Sequence, residues 1–185
     1  MTVNFRHHLR VSTASDHQAV DDIMSNMDVM THAGFVSFLT VHRMCFDAMS
    51  KASPAGHTAK SVLDDLISRI DADLKVLGAP IPSQDPQPLG TLDPLAIDYV
   101  VEGSRLGSKV LRRRWEGTSD PVVKSANAYF SHIPPTSRWQ QVCSALAEIE
   151  TAGPRADRIG ADTRKLFGIF RHAADQATRQ LKVAQ

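Results

Sequence analysis

The chain has 185 residues, enough for one domain with a complete hydrophobic core and no need of disulfides or a structural metal. Hydrophobic residues make up 42% and charged residues 22%, the balance of a soluble globular protein, and 21 basic against 20 acidic side chains leave a formal charge of +1, which argues against nucleic-acid binding through bulk electrostatics. No apolar run approaches the roughly 20 residues of a bilayer span, and the opening MTVNFRHHLR lacks the apolar centre of a signal peptide, so the expected location is the cytoplasm.

Apolar residues recur at helical spacing almost throughout, and no segment alternates with a period of two, so the expected fold is all-α, a single domain over residues 1–185. A first helix starts near Phe5 and carries Leu9, Thr13, His17, Val20, Met24 and Met27 on one stripe. A second runs from about His32 to Met49 with a dense inward face of Phe35, Phe38, Leu39, His42, Cys45 and Phe46. Pro54 and Gly56 mark a turn. The stripe Val62, Leu63, Leu66, Ile67, Ile70, Leu74, Leu77 then gives a helix from Thr58 to Leu77, stopped by Gly78 and Pro80. Pro80, Pro82, Pro86 and Pro88 make residues 79–93 an extended connection. Asp93 and Pro94 read as N-cap and first position of a helix running to Trp115. Pro121 opens a short helix to about His132, and Pro134 and Pro135 precede one carrying Trp139, Val142, Cys143, Leu146 and Ile149. The last helix, from Pro154, lines up Ile159, Leu166, Phe167, Phe170, Ala174, Ala177 and Leu181. Cys45 and Cys143 sit at helical spacing among apolar residues and read as small hydrophobes, not as a disulfide pair.

Two features stand out against this background. In the helix from Pro94, Gly103, Ser104, Gly107 and Ser108 form adjacent columns of minimal side chains, although each interior glycine costs roughly 1 kcal/mol against alanine. Either a neighbouring helix crosses closely there, or a flat ligand lies on the bare backbone. The second feature is His17, which falls on the apolar stripe of its helix, as a satisfied core histidine or as a ligand. Arg10, seven residues earlier, returns to within about 20° of the same face and about 10 Å along the axis. An imidazole and a guanidinium so spaced suit a disc with iron at its centre and carboxylates on its rim. Thr13 could pack beneath such a disc, and Asp21, one turn after His17, could hold the second imidazole nitrogen.

LRVSTASDHQAVD at Leu9–Asp21, together with YVVEGSRLGSKVLRRR at Tyr99–Arg114, resembles the haem oxygenase family, in particular its bacterial, bacteriophytochrome-associated branch. The first segment is similar to the family's proximal-helix pattern and implies His17 as axial iron ligand, and the second is similar to the distal-helix pattern Glu-Gly-Ser-x-Leu-Gly and implies Gly103 and Gly107 over the oxygen site. LGAPIP and KLFGIF extend the likeness to most of the chain. Ser108 departs from it, standing where many members have a second glycine, whereas Ser104 is the residue common in that branch.

What the resemblance implies is a helical haem oxygenase-like fold with haem between proximal and distal helices. Haem would be both cofactor and substrate, opened with O2 and electrons to biliverdin, CO and ferrous iron. The implied haem contacts are Arg10, Thr13, His17, Tyr99, Gly103 and Gly107, with Gly103, Ser104, Gly107 and Ser108 at the reacting side and one of Arg164, Lys165 or Arg171 on a propionate. The implied partners are an electron donor such as ferredoxin or a reductase, and a bacteriophytochrome accepting biliverdin; ring opening at the α position is favoured. Two other readings stand beside it: a haem-binding or haem-sensing protein without turnover, motivated by Ser108, and a structural module whose glycines serve packing alone.

The remaining polar features have plainer readings. Lys109 and Arg112–Arg114 complement a helix C-terminus or dock an acidic donor, His7 and His8 are exposed, and His42 and His172 are core or rim residues. No Glu is followed by His three residues later, which sets aside a di-iron carboxylate bundle, and there is no glycine-rich phosphate loop, Cys-x-x-Cys or Gly-x-Ser-x-Gly.

Overall fold

The computed structural model describes residues 4–82, 89–132 and 135–183, with backbone alone for Thr136 and residues 178–183. Expectations resting on Pro86, Pro88, Pro134 and the Leu181 side chain lie outside the described residues. Among those described there are nine α-helices and no strand: α1 Phe5–Ser12, α2 Ala14–Ser25, α3 His32–Ala52, α4 Thr58–Val76, α5 Pro94–Trp115, α6 Pro121–Ser125, α7 Ala128–Ser131, α8 Thr136–Ala147 and α9 Pro154–Val183. The protein is therefore all-helical.

The caps show why the boundaries fall where they do. Asn4 and Thr31 accept from the amides of His7 and Gly34 to start α1 and α3, and Asp93 accepts from Leu95 with Pro94 at the first position of α5. Past α4, Gly78 takes φ +65°, and its amide and that of Ala79 satisfy the Lys75 and Leu74 carbonyls, a Schellman stop only glycine enters without strain.

Three segments differ from the sequence expectation. The first helix is two, hinged at Thr13, whose φ and ψ of −113° and 8° leave the helical region. The Thr13 hydroxyl donates to the Leu9 carbonyl at 2.8 Å, a back-bond that bends helices. Thr13 N to Leu9 O and His17 N to Thr13 O, both 3.0 Å, carry the ladder across, so the axis kinks without parting. Met27 falls beyond α2. The expected helix from Pro121 to His132 breaks at Ala126 and Asn127, because the two Asp73 carboxylate oxygens each accept at 2.8 Å from Ala128 N and Tyr129 N and start α7 afresh. Finally, α8 stops at Ala147, leaving Ile149 in the following turn.

α3 is the spine of the core, packed on one side by α4 and on the other by α9. Phe35, Phe38, Phe46 and Met49 on α3 are buried with Leu63, Leu66, Ile70 and Leu74 on α4 and Ile159, Leu166 and Phe170 on α9, in one continuous cluster. Cys45 is a buried free thiol in that cluster, and Cys143, also free, is half-buried on α8. α2 and α5 each lean on α9 and touch one another little if at all, which leaves space between them.

Candidate functional site

That space is a cleft of about 960 Å³, at the upper end of the roughly 300–1,000 Å³ typical of small-molecule sites. α1 and α2 line it with Arg10, Thr13 and His17, and α5 with Tyr99, Gly103, Ser104, Gly107 and Ser108. The eight residues singled out in the sequence on the first helix and on the helix from Pro94 thus border one cavity. Phe167 and Phe170 of α9 and His42 of α3 also line it.

The glycines settle the choice between close helix crossing and bare backbone. A Cβ placed on Gly103 or Gly107 would meet nothing within 4 Å, so no neighbouring helix lies in their groove and the packing explanation does not hold. The opposite side of α5 is fixed firmly. Glu102 and Arg105 are buried, with Arg105 Nη1 donating to Glu102 Oε1 at 2.7 Å, and Arg138 Nε of α8 donates to the same oxygen at 2.9 Å. Charge-assisted bonds hold the helix from behind, while toward the cleft the backbone is bare at Gly103 and Gly107.

His17 stands on α2 with its side chain exposed. Its Nδ1 lies 3.1 Å from Asp21 Oδ2, one turn on, and the Phe167 ring meets it edge-on at 5.5 Å between centroids. A carboxylate at Nδ1 favours the tautomer protonated there and leaves Nε2 with a lone pair for a ligand. Thr13, buried, spends its hydroxyl on the kink, so it contributes a methyl to the cleft wall. Tyr99 is half-buried against Trp139, with ring centroids 5.8 Å apart, and burial raises its phenol.

The two serines are not equivalent. Ser108 Oγ donates to the Ser104 carbonyl at 3.0 Å and contacts Tyr129 Oη at 3.1 Å. Its single proton is spent on the carbonyl, so Tyr129 is the donor in the second bond, consistent with a phenol that burial pushes up to about 12. Ser108 is therefore part of the wall. Ser104 Oγ makes no hydrogen bond among the described residues and is the hydroxyl available to a ligand.

Several cleft residues escaped the sequence reading. Arg164, Lys165 and Arg171, considered for an anionic rim group, do not border the cleft; Lys165 pairs with Asp162 at 3.0 Å and Arg171 with Asp16 at 3.3 Å. The second cation at the cleft, beside Arg10, is Arg114 of α5. The signal was present: Gly103, Gly107, Val110, Leu111 and Arg114 follow one another at helical spacing, and extending the glycine column to the end of the helix finds it. Val11 and Val110, 60% and 62% exposed, are the two most exposed large hydrophobic residues described, and both border the cleft. His42, expected as core or rim, is a buried cleft wall: its Nδ1 donates to the Phe38 carbonyl at 3.0 Å, and burial holds its imidazole down at about 4. His7, His8 and His172 are exposed.

Among the described residues no three His, Cys, Asp or Glu side chains converge as a metal site. None of the described helices is long and apolar enough to cross a membrane. No protein-family model and no curated protein matches the chain.

Proposed function

We propose that the cleft takes haem, in a haem oxygenase-like arrangement of α2 and α5, and that the protein opens the ring with O2 and electrons to biliverdin, CO and ferrous iron. The observation carrying this reading is that His17, with Nδ1 beside Asp21, and the open-faced glycines Gly103 and Gly107 border the same large cleft. The residues fit the group. A flat apolar ring matches a cleft bordered by phenylalanines and exposed valines, Arg10 and Arg114 match two carboxylates on its rim, and His17 Nε2 matches the iron.

Haem supplies the iron at which oxygen is reduced and the ring edge that is attacked. The chain's own part is positional. Asp21, 3.1 Å from His17 Nδ1, orients the imidazole, as outer partners of ligating histidines do. Gly103 and Gly107 let backbone approach the ring where any side chain would displace it. Ser104 offers a proton at Oγ, and the bond from Tyr129 keeps Ser108 turned away from that duty. An acidic electron donor such as ferredoxin, and a bacteriophytochrome taking the biliverdin, are the partners this reading calls for.

The test is an absorption time course. The protein is titrated with hemin, a reductant is added in air, and the Soret band is followed beside the long-wavelength band of biliverdin. We expect saturable binding, Soret loss and biliverdin formation insensitive to catalase. His17→Ala should abolish the coordinated spectrum, and Asp21→Asn should weaken binding about tenfold or more. Ser104→Ala should slow ring opening by a comparable factor with binding retained. A stable complex in air would show the haem-binding alternative without turnover, and absence of saturable binding would refute both.

A further inference from the structure

We propose that the protein carries a second binding site, for a small anion, in a basic pocket behind the wall of the cleft. The pocket has about 290 Å³ and lies where α5 meets α4 and α7. Leu66, Tyr129 and Phe130 form its buried floor, and Arg105, Lys109, Arg112 and Arg113 bring four cations against the single carboxylate of Glu116.

Lys109 and Arg113 have no carboxylate partner among the described residues, and Asp65, the acid beside His132 at 3.8 Å, is paired with Arg69 at 2.8 Å. Arg112 Nε donates to Glu116 at 2.9 Å, which accounts for the one carboxylate at the pocket. Glu102, the partner of Arg105, also serves Arg138. The Arg105 side chain is 5% exposed, and its Nε is buried with no hydrogen-bond partner among the described residues. Its Nη2 lies 2.9 Å from His132 Nε2. A guanidinium only donates, so His132 accepts there and is neutral; its burial, and the cations Arg105 and Arg69 beside it, hold the imidazole below its usual range. Complementing a helix dipole accounts for cations in the last turn of α5. It does not account for Arg105 and Lys109 further back, nor for their gathering round a concavity.

An anion in this pocket would meet a guanidinium already fixed by packing, with Lys109 and Arg113 exposed and able to close on it. The small volume and buried floor fit one phosphate or carboxylate group on a small molecule. Ser108 borders both this pocket and the cleft, so the two sites share one wall. The inference does not depend on the haem reading, because it is tested on haem-free protein.

The experiment is isothermal titration of the full chain, without hemin and at low ionic strength, with inorganic phosphate and separately with malonate. The variants are Lys109→Gln/Arg113→Gln, two exposed positions outside the cleft, and Arg10→Gln at the cleft. We expect one site per chain for at least one of the anions, tenfold or more weaker in the double variant, unchanged in Arg10→Gln, with the His132 ring resonances shifting on saturation. Absence of saturation with both anions would overturn the proposal. So would equal affinity in the double variant, loss of binding in Arg10→Gln instead, or binding of polyglutamate alone, which would mark the surface as a docking face for an acidic chain.

Discussion

Glycine has three different meanings in this chain, and single substitutions separate two of them. Gly107 sits in the middle of α5 with open space where a Cβ would go, so Gly107→Ala should stabilise the haem-free protein by up to about 1 kcal/mol through helix propensity alone. At Gly34 the added carbon would overlap the backbone carbonyl of Asp28, which folds back against the start of α3, and the neighbour is main chain that cannot step aside. Gly34→Ala should therefore cost about 1–3 kcal/mol. Urea denaturation of the two variants checks both, and a destabilised Gly107→Ala would mean that something covers the glycine face after all. The third meaning is conformational, at Gly78, where positive φ closes α4. A sequence displays all three as the same letter; the column of small residues at Gly103 and Gly107 was legible, but only the space in front of it distinguishes a ligand surface from a helix contact.

Among the helices, α5 shows most directly how one surface divides between a packed back and an open front. Its front offers Gly103, Gly107 and Ser104 to the cleft, while its back buries Glu102 between Arg105 and Arg138. Removing that carboxylate strands the buried Arg105 guanidinium and takes the nearer partner from the half-buried Arg138. Glu102→Ala should cost about 3 kcal/mol or more, read as a lowered urea midpoint, and a loss below about 1 kcal/mol would mean that water enters behind the helix. The start of α5 and its length were readable, because Asp93-Pro94 and a helical apolar period are local signals. The Glu102 network was not, since Arg138 lies 36 positions away and nothing in the spacing links them. The kink at Thr13 was missed for the reverse reason: a threonine on an apolar stripe keeps the periodicity while its hydroxyl bends the helix. Arg10 and His17 border one cleft across that kink, so the stripe located the site although the straight-helix distance does not apply.

At the scale of the whole molecule, the all-helical architecture followed from periodicity, but the cleft did not, because it exists only where α2 and α5 both rest on α9. Its histidine His42 ties stability to pH. Held near 4 in the folded chain and at about 6.5 when unfolded, it binds more protons in the unfolded state between those values, so its contribution is complete above about pH 6.5 and is lost as pH falls toward 4. That shift corresponds to roughly 3 kcal/mol. Burial raises the carboxyls of Asp73 and Asp98, whose effect runs the opposite way, stability growing as they are protonated. Urea midpoints measured from pH 7 to 4 should fall less steeply in His42→Leu than in the parent chain; parallel curves would show the imidazole charging without unfolding.

The small helix α7 gives the cleft wall a clock. Four residues cannot sustain a helix in water, so α7 exists while the Asp73 carboxylate, 55 and 56 positions back along the chain, grips its first two amides. It therefore needs α4 in place to present that carboxylate, and its buried Tyr129 and Phe130 hold it to the core once it has formed. Each release withdraws Tyr129 and with it the bond that orients Ser108. The exchange lifetime of the Ala128 and Tyr129 amides thus measures how long the wall between cleft and basic pocket stays shut, a gate set by local unfolding and not by any hinge.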